Sequence, residues 1–309
     1  ATRCADPFRH RPWSIEEALA QLADWRLAEA ANRRIAVCVG MAFWKRRRVA
    51  AAFASEAGMP AFRRRSAAAV AEARRRGGGA IAAWATRVPR DLPARAANAG
   101  VTLLHVEDGF VRSAGLGVGF LPGASLVVDA VAGLRLDPTA PGRLEALPAE
   151  TAFDPALLTR AARGITKYNL GAGGSAPRSP MLDIPPGARR CVLVPGQVED
   201  DLSVRLGAAR DGGGGVRTNL DLLRAARAAA GPNAFLIFKP HPDVEAGYRR
   251  GGVPTRGALA HADRILPDAP MAALLGAVDE VHTITSLTGF EALLRSLDVV
   301  CLGTPFYAG

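Results

Sequence analysis

A chain of 309 residues is longer than most single domains, and two domains of roughly 150 residues each is what that length suggests. Its hydrophobic content of 49% suffices for well-packed cores, yet no apolar run approaches the ~20 residues of a membrane-spanning helix and no apolar signal core stands near the start. The net charge of +10 is almost wholly arginine and favours anionic partners, although Ala, Gly and Arg enrichment is also a compositional bias; the sparse aromatics, not interleaved with basic residues, argue against a single-strand nucleic-acid binder.

The chain opens on Ala1 rather than Met, as an excerpt or a processed form would. Ser14-Ile15-Glu16-Glu17 has capping-box spacing, and the residues to about Ala31 read as an amphipathic helix. A strand over Ile35–Val39 follows, then Phe43-Trp44-Lys45-Arg46-Arg47-Arg48. That basic run either grips an anionic acceptor or lipid surface or is a solvated helix face. Helices over residues 66–76 and 92–98 alternate with strands over 80–85 and 101–106, the pattern of a doubly wound sheet. The last strand runs into Glu107-Asp108-Gly109-Phe110-Val111-Arg112-Ser113. Acids at a strand's carboxyl end stand where this fold usually does chemistry, and mutual repulsion lets one keep its proton for acid–base work; a plain Glu-Asp-Gly turn is the competing reading. Gly115-Leu116-Gly117-Val118-Gly119 lacks the strand-to-helix setting and the later acid of a dinucleotide fingerprint, which rejects that reading. Residues 125–129 and 133–137 have the pattern of a short β-hairpin.

A helix over 154–170 and a Gly/Pro-rich stretch set the domain boundary: 1–170 is an N-terminal Rossmann-like domain, 171–188 a linker and 189–309 a C-terminal Rossmann-like domain. The second half restarts with strand Cys191-Val192-Leu193-Val194 and runs into Pro195-Gly196-Gln197-Val198-Glu199-Asp200-Asp201, a second carboxylate cluster. A loop over 211–215 and a helix over 218–230 follow. Phe235-Leu236-Ile237-Phe238 is continuously apolar, as a strand buried on both faces must be, and Lys239-Pro240-His241-Pro242-Asp243 stops it. The two prolines stiffen the backbone, so a Lys and a His are presented at the carboxyl edge, where open α/β sheets bind ligands; a turn whose histidine merely caps something competes with this. In the stretch from Val281 to Glu291 a strand passes into a helix through hydroxyl residues, with Thr288 and Glu291 at capping-box spacing. Backbone N–H groups with the hydroxyls of Thr285, Ser286 and Thr288 suit a phosphate; N-capping by Ser286 or Thr288 is the simpler account. Cys4, Cys38, Cys191 and Cys301 show no paired or metal-type spacing and read as buried free thiols in a reducing compartment.

Two Rossmann-like halves, with acids closing a strand in one and a His beside a hydroxyl-capped helix in the other, make the expected fold class α/β and GT-B-like with an interdomain cleft. Glu107-Asp108-Gly109, His241-Pro242 and the later Ser/Thr pair resemble the motifs of bacterial sialyltransferases, which use a CMP-sugar. A closer resemblance runs from about Arg34 to the end. The Glu107–Ser113 motif, the Pro195–Asp201 motif, Lys239-Pro240-His241-Pro242-Asp243 and the stretch from Thr285 to Leu293 are together similar to KpsC-type capsule polysaccharide β-Kdo transferases, most like their C-terminal catalytic module. Members continue beyond Phe306-Tyr307-Ala308-Gly309, so the resemblance implies that closing helices are missing.

The resemblance implies a retaining β-Kdo glycosyltransferase that takes Kdo from CMP-β-Kdo. The acceptor would be a Kdo-terminated, lysophosphatidylglycerol-type linker for capsule, met at the inner face of the cytoplasmic membrane by a cytoplasmic, peripheral enzyme. The N-terminal domain would be the acceptor side and the C-terminal domain would bind the CMP-sugar. His241 would contact the CMP phosphate, Ser286 with Thr285 or Thr288 would close the phosphate site, and Gln197 and Ser113 would also bind donor. Retention by two inversions calls for a carboxylate nucleophile, and in retaining glycosidases the two carboxyl groups stand about 5–5.5 Å apart. Asp201 aligns with the acid assigned as nucleophile in related Kdo transferases, with Asp200 as the alternative; Glu107 or Asp108 would be the acid/base. Arg112, Lys239 and Arg205 are candidates to pair with Kdo's own carboxylate. No metal and no cofactor beyond the donor substrate is expected, because CMP carries a single phosphate. A companion N-terminal transferase module is an implied partner and nucleic acid is not. Two readings compete: a sialyltransferase-like or other GT-B enzyme with a different nucleotide sugar, and a basic module for nucleic acid or anionic membrane, whose affinity would fall steeply with salt.

Overall fold

The computed structural model describes residues 4–6, 10–110, 123–130, 134–139, 142, 190–208 and 215–308. The expected helix over 154–170, the linker 171–188, the glycine run 115–119, and both Arg112 and Ser113 lie outside the described residues. The chain divides into two compact units, Ala1–Val106 and Glu107–Gly309.

In the first unit, β1 (Cys4–Ala5) pairs with β2 (Pro12–Trp13) ahead of α1 (Ile15–Asn32). The capping box starts α1 where expected: Ser14 Oγ accepts from the Glu17 N–H at 3.2 Å and Glu17 Oε2 accepts from the Ser14 N–H at 3.0 Å. The apolar face expected of α1 is not buried, for Ile15, Leu19 and Leu22 remain 58, 60 and 55% exposed. Its cap and its Ala-, Leu- and Glu-rich composition favour the helix locally.

β3 (Ile35–Val39) and β5 (Ala80–Trp84) are buried along their whole length, as parallel strands covered on both faces must be. With β4 (Ala61–Arg63) and β6 (Leu103–Asp108) they run parallel in the order β4-β3-β5-β6. Val37, Val39, Ile81 and Ala83 form a core layer with Ala69 and Ala73 of helix Ser66–Arg75 and Leu92 and Ala96 of helix Leu92–Asn98. Burial pushes the Cys38 thiol up to about 12, which makes it an inert core group. All four cysteines are free, Cys38 and Cys191 buried, Cys4 and Cys301 partly so.

Glu72, buried on helix Ser66–Arg75, meets Arg75 at 2.5 Å, Arg76 at 2.8 Å and Arg63 at 2.9 Å. Hydrogen bonds from Arg75 and Arg76 above all hold its carboxyl at about 2, against an ordinary 4.5. A carboxylate depressed on folding stabilises above its unfolded pKa and loses that contribution as pH falls through the folded one. Glu72→Gln is therefore expected to lower the Tm at neutral pH and to flatten the acid limb of the Tm profile between pH 4.5 and about 2. A variant whose acid limb matches the wild type would refute the assignment.

The second unit contains β7 (Leu126–Asp129), but its expected hairpin partner over 133–137 is instead a 3-10 turn, Leu134–Leu136. Leu134 has φ of +49° and is fully buried; a left-handed residue ends an extended run, and burial anchors the turn there. The main sheet orders β10 (Arg264–Ile265), β9 (Ala234–Lys239), β8 (Arg190–Pro195), β11 (Glu280–Thr283) and β12 (Asp298–Cys301), all parallel. The chain starts centrally at β8, winds outward through β9 and β10, and crosses to β11 and β12, so winding reverses between β8 and β11. Side chains alternate as strand geometry requires. Val192, Val194, Leu236 and Phe238 face a layer with Leu222 and Leu223 of helix Asn219–Ala230, whereas Leu193, Ile237 and Val281 face Leu274 and Leu275 of helix Met271–Leu275. Doubly wound sheets bind ligands beyond the carboxyl ends of strands at such a reversal, and the motifs after β8, β9 and β11 share that edge. Among the described residues no helix is long and apolar enough to cross a membrane.

Candidate active site

β8 ends at Pro195, and the next residue allows β9's turn to come close. A Cβ on Gly196 would stand 3.0 Å from the His241 nitrogen and 3.1 Å from Pro240 Cα, and the Gly196 N–H donates to the Lys239 carbonyl at 2.8 Å. Any side chain at 196 would push the two turns apart. The proline-stiffened turn makes His241 the N-cap of helix Pro242–Glu245, with Nδ1 accepting from the Asp243 N–H at 3.1 Å. An accepting ring nitrogen carries no proton, so Nε2 is the ring's N–H donor. The capping and the ligand readings of this histidine are thus compatible. Lys239 goes elsewhere: it is buried, its ammonium donates to the Pro267 carbonyl, and desolvation lowers its pKa.

Gln197 bridges the winding reversal. It is 6% exposed, and its Oε1 accepts from the Thr285 N–H at 3.0 Å and the Thr285 hydroxyl at 3.3 Å. Its Nε2 is buried with no hydrogen-bond partner. A buried donor left unmade costs about 1–3 kcal/mol, a deficit that an oxygen of a bound ligand would relieve. Asn219, 1% exposed, holds Gln197 in place: its Oδ1 accepts from the Gln197 N–H at 2.8 Å, and its Nδ2 donates to the carbonyls of Gln197 and Gly251, each at 2.7 Å. Asn219→Ala would strand those groups and is expected to lower unfolding free energy in urea by about 2–4 kcal/mol. A loss below about 1 kcal/mol would mean that the clamp contributes little.

The three consecutive acids have three different partners. Glu199 Oε1 accepts from the Asn219 N–H at 2.8 Å. Asp200, 52% exposed, pairs with Arg249 at 3.3 Å. Asp201 is the N-cap of helix Leu202–Gly207, its Oδ1 accepting from the Ser203 N–H at 3.1 Å and the Ser203 hydroxyl at 3.0 Å. That helix returns to the reversal edge, where a Cβ on Gly207 would stand 2.7 Å from Thr285 Cγ2. Arg205 lies on the same helix, exposed.

Of the two candidate caps, Ser286 is the N-cap of helix Leu287–Leu293 and Thr288 lies inside the helix, so the Thr288–Glu291 spacing does not mark its start. Ser286 Oγ accepts from the Thr288 N–H at 3.2 Å and donates to Thr288 Oγ1 at 3.2 Å. Its own N–H donates to Thr283 Oγ1 at 3.0 Å, which sets the turn one residue before the helix can begin. Tyr307 donates its hydroxyl to the Ser286 carbonyl. Burial raises the Tyr307 pKa, so the phenol remains a donor. Gly289 makes room for that ring, since a Cβ there would stand 2.8 Å from Tyr307 Cε2. Phe110 lies 5.5 Å from Phe290 and 5.4 Å from Phe306, which draws the segment from Glu107 to Phe110 towards this helix. Glu107 and Asp108 do not follow β6 but end it, and consecutive strand residues project to opposite faces. Glu107 Oε1 accepts from the Asp108 N–H at 3.1 Å.

The structure thus brings Gln197, Asp201, His241, Thr285, Ser286 and Thr288 to one edge and directs Lys239 to the scaffold. Motif reading missed Asn219 and Tyr307. Their bonds are long-range, although Gly289 inside a helix is a local sign of a close neighbour. Among the described residues no group of three or more His, Cys, Asp or Glu could hold a metal ion.

Residues 183–309 match the family model described as capsule polysaccharide biosynthesis protein. The capsule polysaccharide modification protein LipA of Neisseria meningitidis serogroup B is 42% identical over 217 residues, covering 68% of this chain. The chain spans only 29% of that relative's length. Among solved structures, the β-Kdo 2,7 transferase of Thermosulfurimonas dismutans KpsC is similar with a TM-score of 0.61 and 29% identity, covering 88% of this chain and 80% of that one. The β-Kdo 2,4 transferase of the same KpsC has a TM-score of 0.57 and 31% identity, covering 74% and 70%.

Proposed function

Because this chain belongs to the KpsC-type family of capsule polysaccharide enzymes, we propose that it is a retaining β-Kdo transferase using CMP-β-Kdo. The observation that carries the reading is the joining of β8 to β11 by the Gln197–Thr285 hydrogen bonds, with His241 and Asp201 on the same edge. His241 donates from Nε2 to the CMP phosphate, and the hydroxyls of Ser286 and Thr288 bind its remaining oxygens. Gln197 Nε2 donates to the donor substrate from beneath. Bonds to a charged oxygen are the stronger kind, and the water-poor edge strengthens them further.

Asp201 holds its helix with Oδ1 and attacks the anomeric carbon through Oδ2. The glycosidic C–O bond to CMP breaks as the carboxylate–sugar bond forms, and CMP leaves with the electron pair. A hydroxyl of the acceptor then displaces Asp201 while Glu107 or Asp108 takes its proton, and two inversions give net retention. GT-B-like halves closing over the donor, a Kdo-terminated lysophospholipid acceptor at the inner membrane face, and a companion N-terminal module complete the reading. A single phosphate calls for no metal.

Intact mass spectrometry after incubation with CMP-Kdo tests this directly. A mass gain of one Kdo residue, mapped to the peptide carrying Asp201, is expected. An adduct mapped to another acid, or none under conditions where CMP is released, would overturn the assigned mechanism.

A further inference from the structure

The segment after the edge strand β12 reaches two functional helices at once. The Leu302 N–H donates to the Thr283 carbonyl at 2.8 Å, which carries the chain past the end of β11. Gly303 then lies against the carboxyl end of helix Leu202–Gly207. A Cβ on it would stand 2.5 Å from the Gly207 carbonyl oxygen and 2.9 Å from the Ile284 carbonyl oxygen, so only glycine lets these backbones approach so closely. Thr304 closes the contact: its N–H and its hydroxyl donate to the Gly207 carbonyl at 2.7 and 3.2 Å. A carbonyl in the last turn of a helix has no partner within the helix, and here Thr304 supplies it from outside. The helix is about 9 Å long at 1.5 Å per residue, and Asp201 caps its other end. A rod this short tilts as one piece, so holding Gly207 sets where the Asp201 carboxylate stands.

Tyr307, on the same segment, reaches the second helix. Pro305 is buried and fixes its own φ, and the Ala308 N–H donates to its carbonyl at 2.9 Å, which closes the turn. The Tyr307 ring meets Phe306 edge to face at 5.1 Å and lies 6.3 Å from Phe290, and these neighbours hold it in one orientation. Its hydroxyl is thereby aimed at the Ser286 carbonyl, which belongs to the residue that caps helix Leu287–Leu293. One short stretch of chain thus grips the helix of the candidate nucleophile and the helix of the candidate phosphate site.

We propose that Thr304 and Tyr307 are positioning residues, Thr304 for the Asp201 carboxylate and Tyr307 for the Ser286 hydroxyl. Under the Kdo-transferase reading, on which these roles rest, the first governs the rate of attack and the second the grip on the CMP phosphate. Each acts through the carbonyl it holds.

Thr304→Val and Tyr307→Phe each remove one hydroxyl and little volume, and Thr304 is exposed, so its variant keeps the fold. The rate of Kdo-adduct formation at saturating CMP-Kdo and the Kd for CMP by calorimetry separate the two roles. Thr304→Val is expected to slow the adduct step roughly tenfold with CMP affinity within about twofold of wild type, because a small misplacement of a reacting group is costly. Thr304→Ser, which keeps the hydroxyl, restores the rate. Tyr307→Phe is expected to weaken CMP about five- to tenfold and to leave the saturated rate within about threefold. A variant that matches the wild type in both constants, or loses rate and affinity together, overturns the role given to that residue. Amide hydrogen exchange without ligand separates this failure from that of the transferase reading. Faster exchange is expected over residues 202–208 in Thr304→Val and over 287–293 in Tyr307→Phe. If the wild type forms no adduct, the transferase mechanism falls by itself, and unchanged exchange in either variant would sink the positioning proposal as well.

Discussion

Asp201→Asn is expected to abolish Kdo transfer, by roughly 10⁴-fold or more, while leaving the fold and CMP binding intact. Asp201 Oδ1 accepts from the Ser203 N–H and hydroxyl at 3.1 and 3.0 Å, and an asparagine Oδ1 can keep both bonds. The substitution removes only the anionic oxygen to which the proposed mechanism gives the attack. Asp201→Ala also removes the cap, at about 1 kcal/mol, and mixes a folding defect into the result. The comparison is Asp200→Asn, which loses an exposed pair with Arg249 and is expected to change turnover little. Steady-state transfer, adduct mass and the thermal shift given by CMP would be measured on both. Transfer lost in the Asp200 variant and kept in the Asp201 variant would move the nucleophile by one residue.

The second large effect is expected at His241. His241→Asn preserves an N-cap acceptor for the Asp243 N–H, now held by Nδ1 at 3.1 Å, but has no equivalent of the Nε2 donor. CMP affinity should fall about 10- to 100-fold, the worth of a hydrogen bond to a charged group, with Tm nearly unchanged. His241→Ala should lose affinity and also the cap. If the asparagine variant binds CMP as tightly as wild type, the histidine serves the turn and not the ligand.

Several features could be read locally because their causes are local. The capping box at Ser14 needs only residues three apart, and the continuously apolar runs of β3, β5 and β9 follow from burial on both faces. The motifs after β8, β9 and β11 could be assigned to strand ends for the same reason. Other features depend on partners far along the chain. Ser286 was open to competition with Thr288 for the cap until Thr283 and Tyr307 met it. Leu134 left the extended pattern because it is buried, and α1 kept its helix with Ile15, Leu19 and Leu22 exposed.

Sequence alone determined the alternation of strands and helices and the residue types at each strand's carboxyl end, because period and capping act within a few residues. Tertiary structure decided which of those ends meet. Only the β8–β11 reversal sets Gln197 against Thr285, and only Asn219, reaching 22 residues back to Gln197, holds it there. Hydrogen bonds between distant loops leave no period in a sequence, and so the division of Glu199, Asp200 and Asp201 among three partners belongs to the fold.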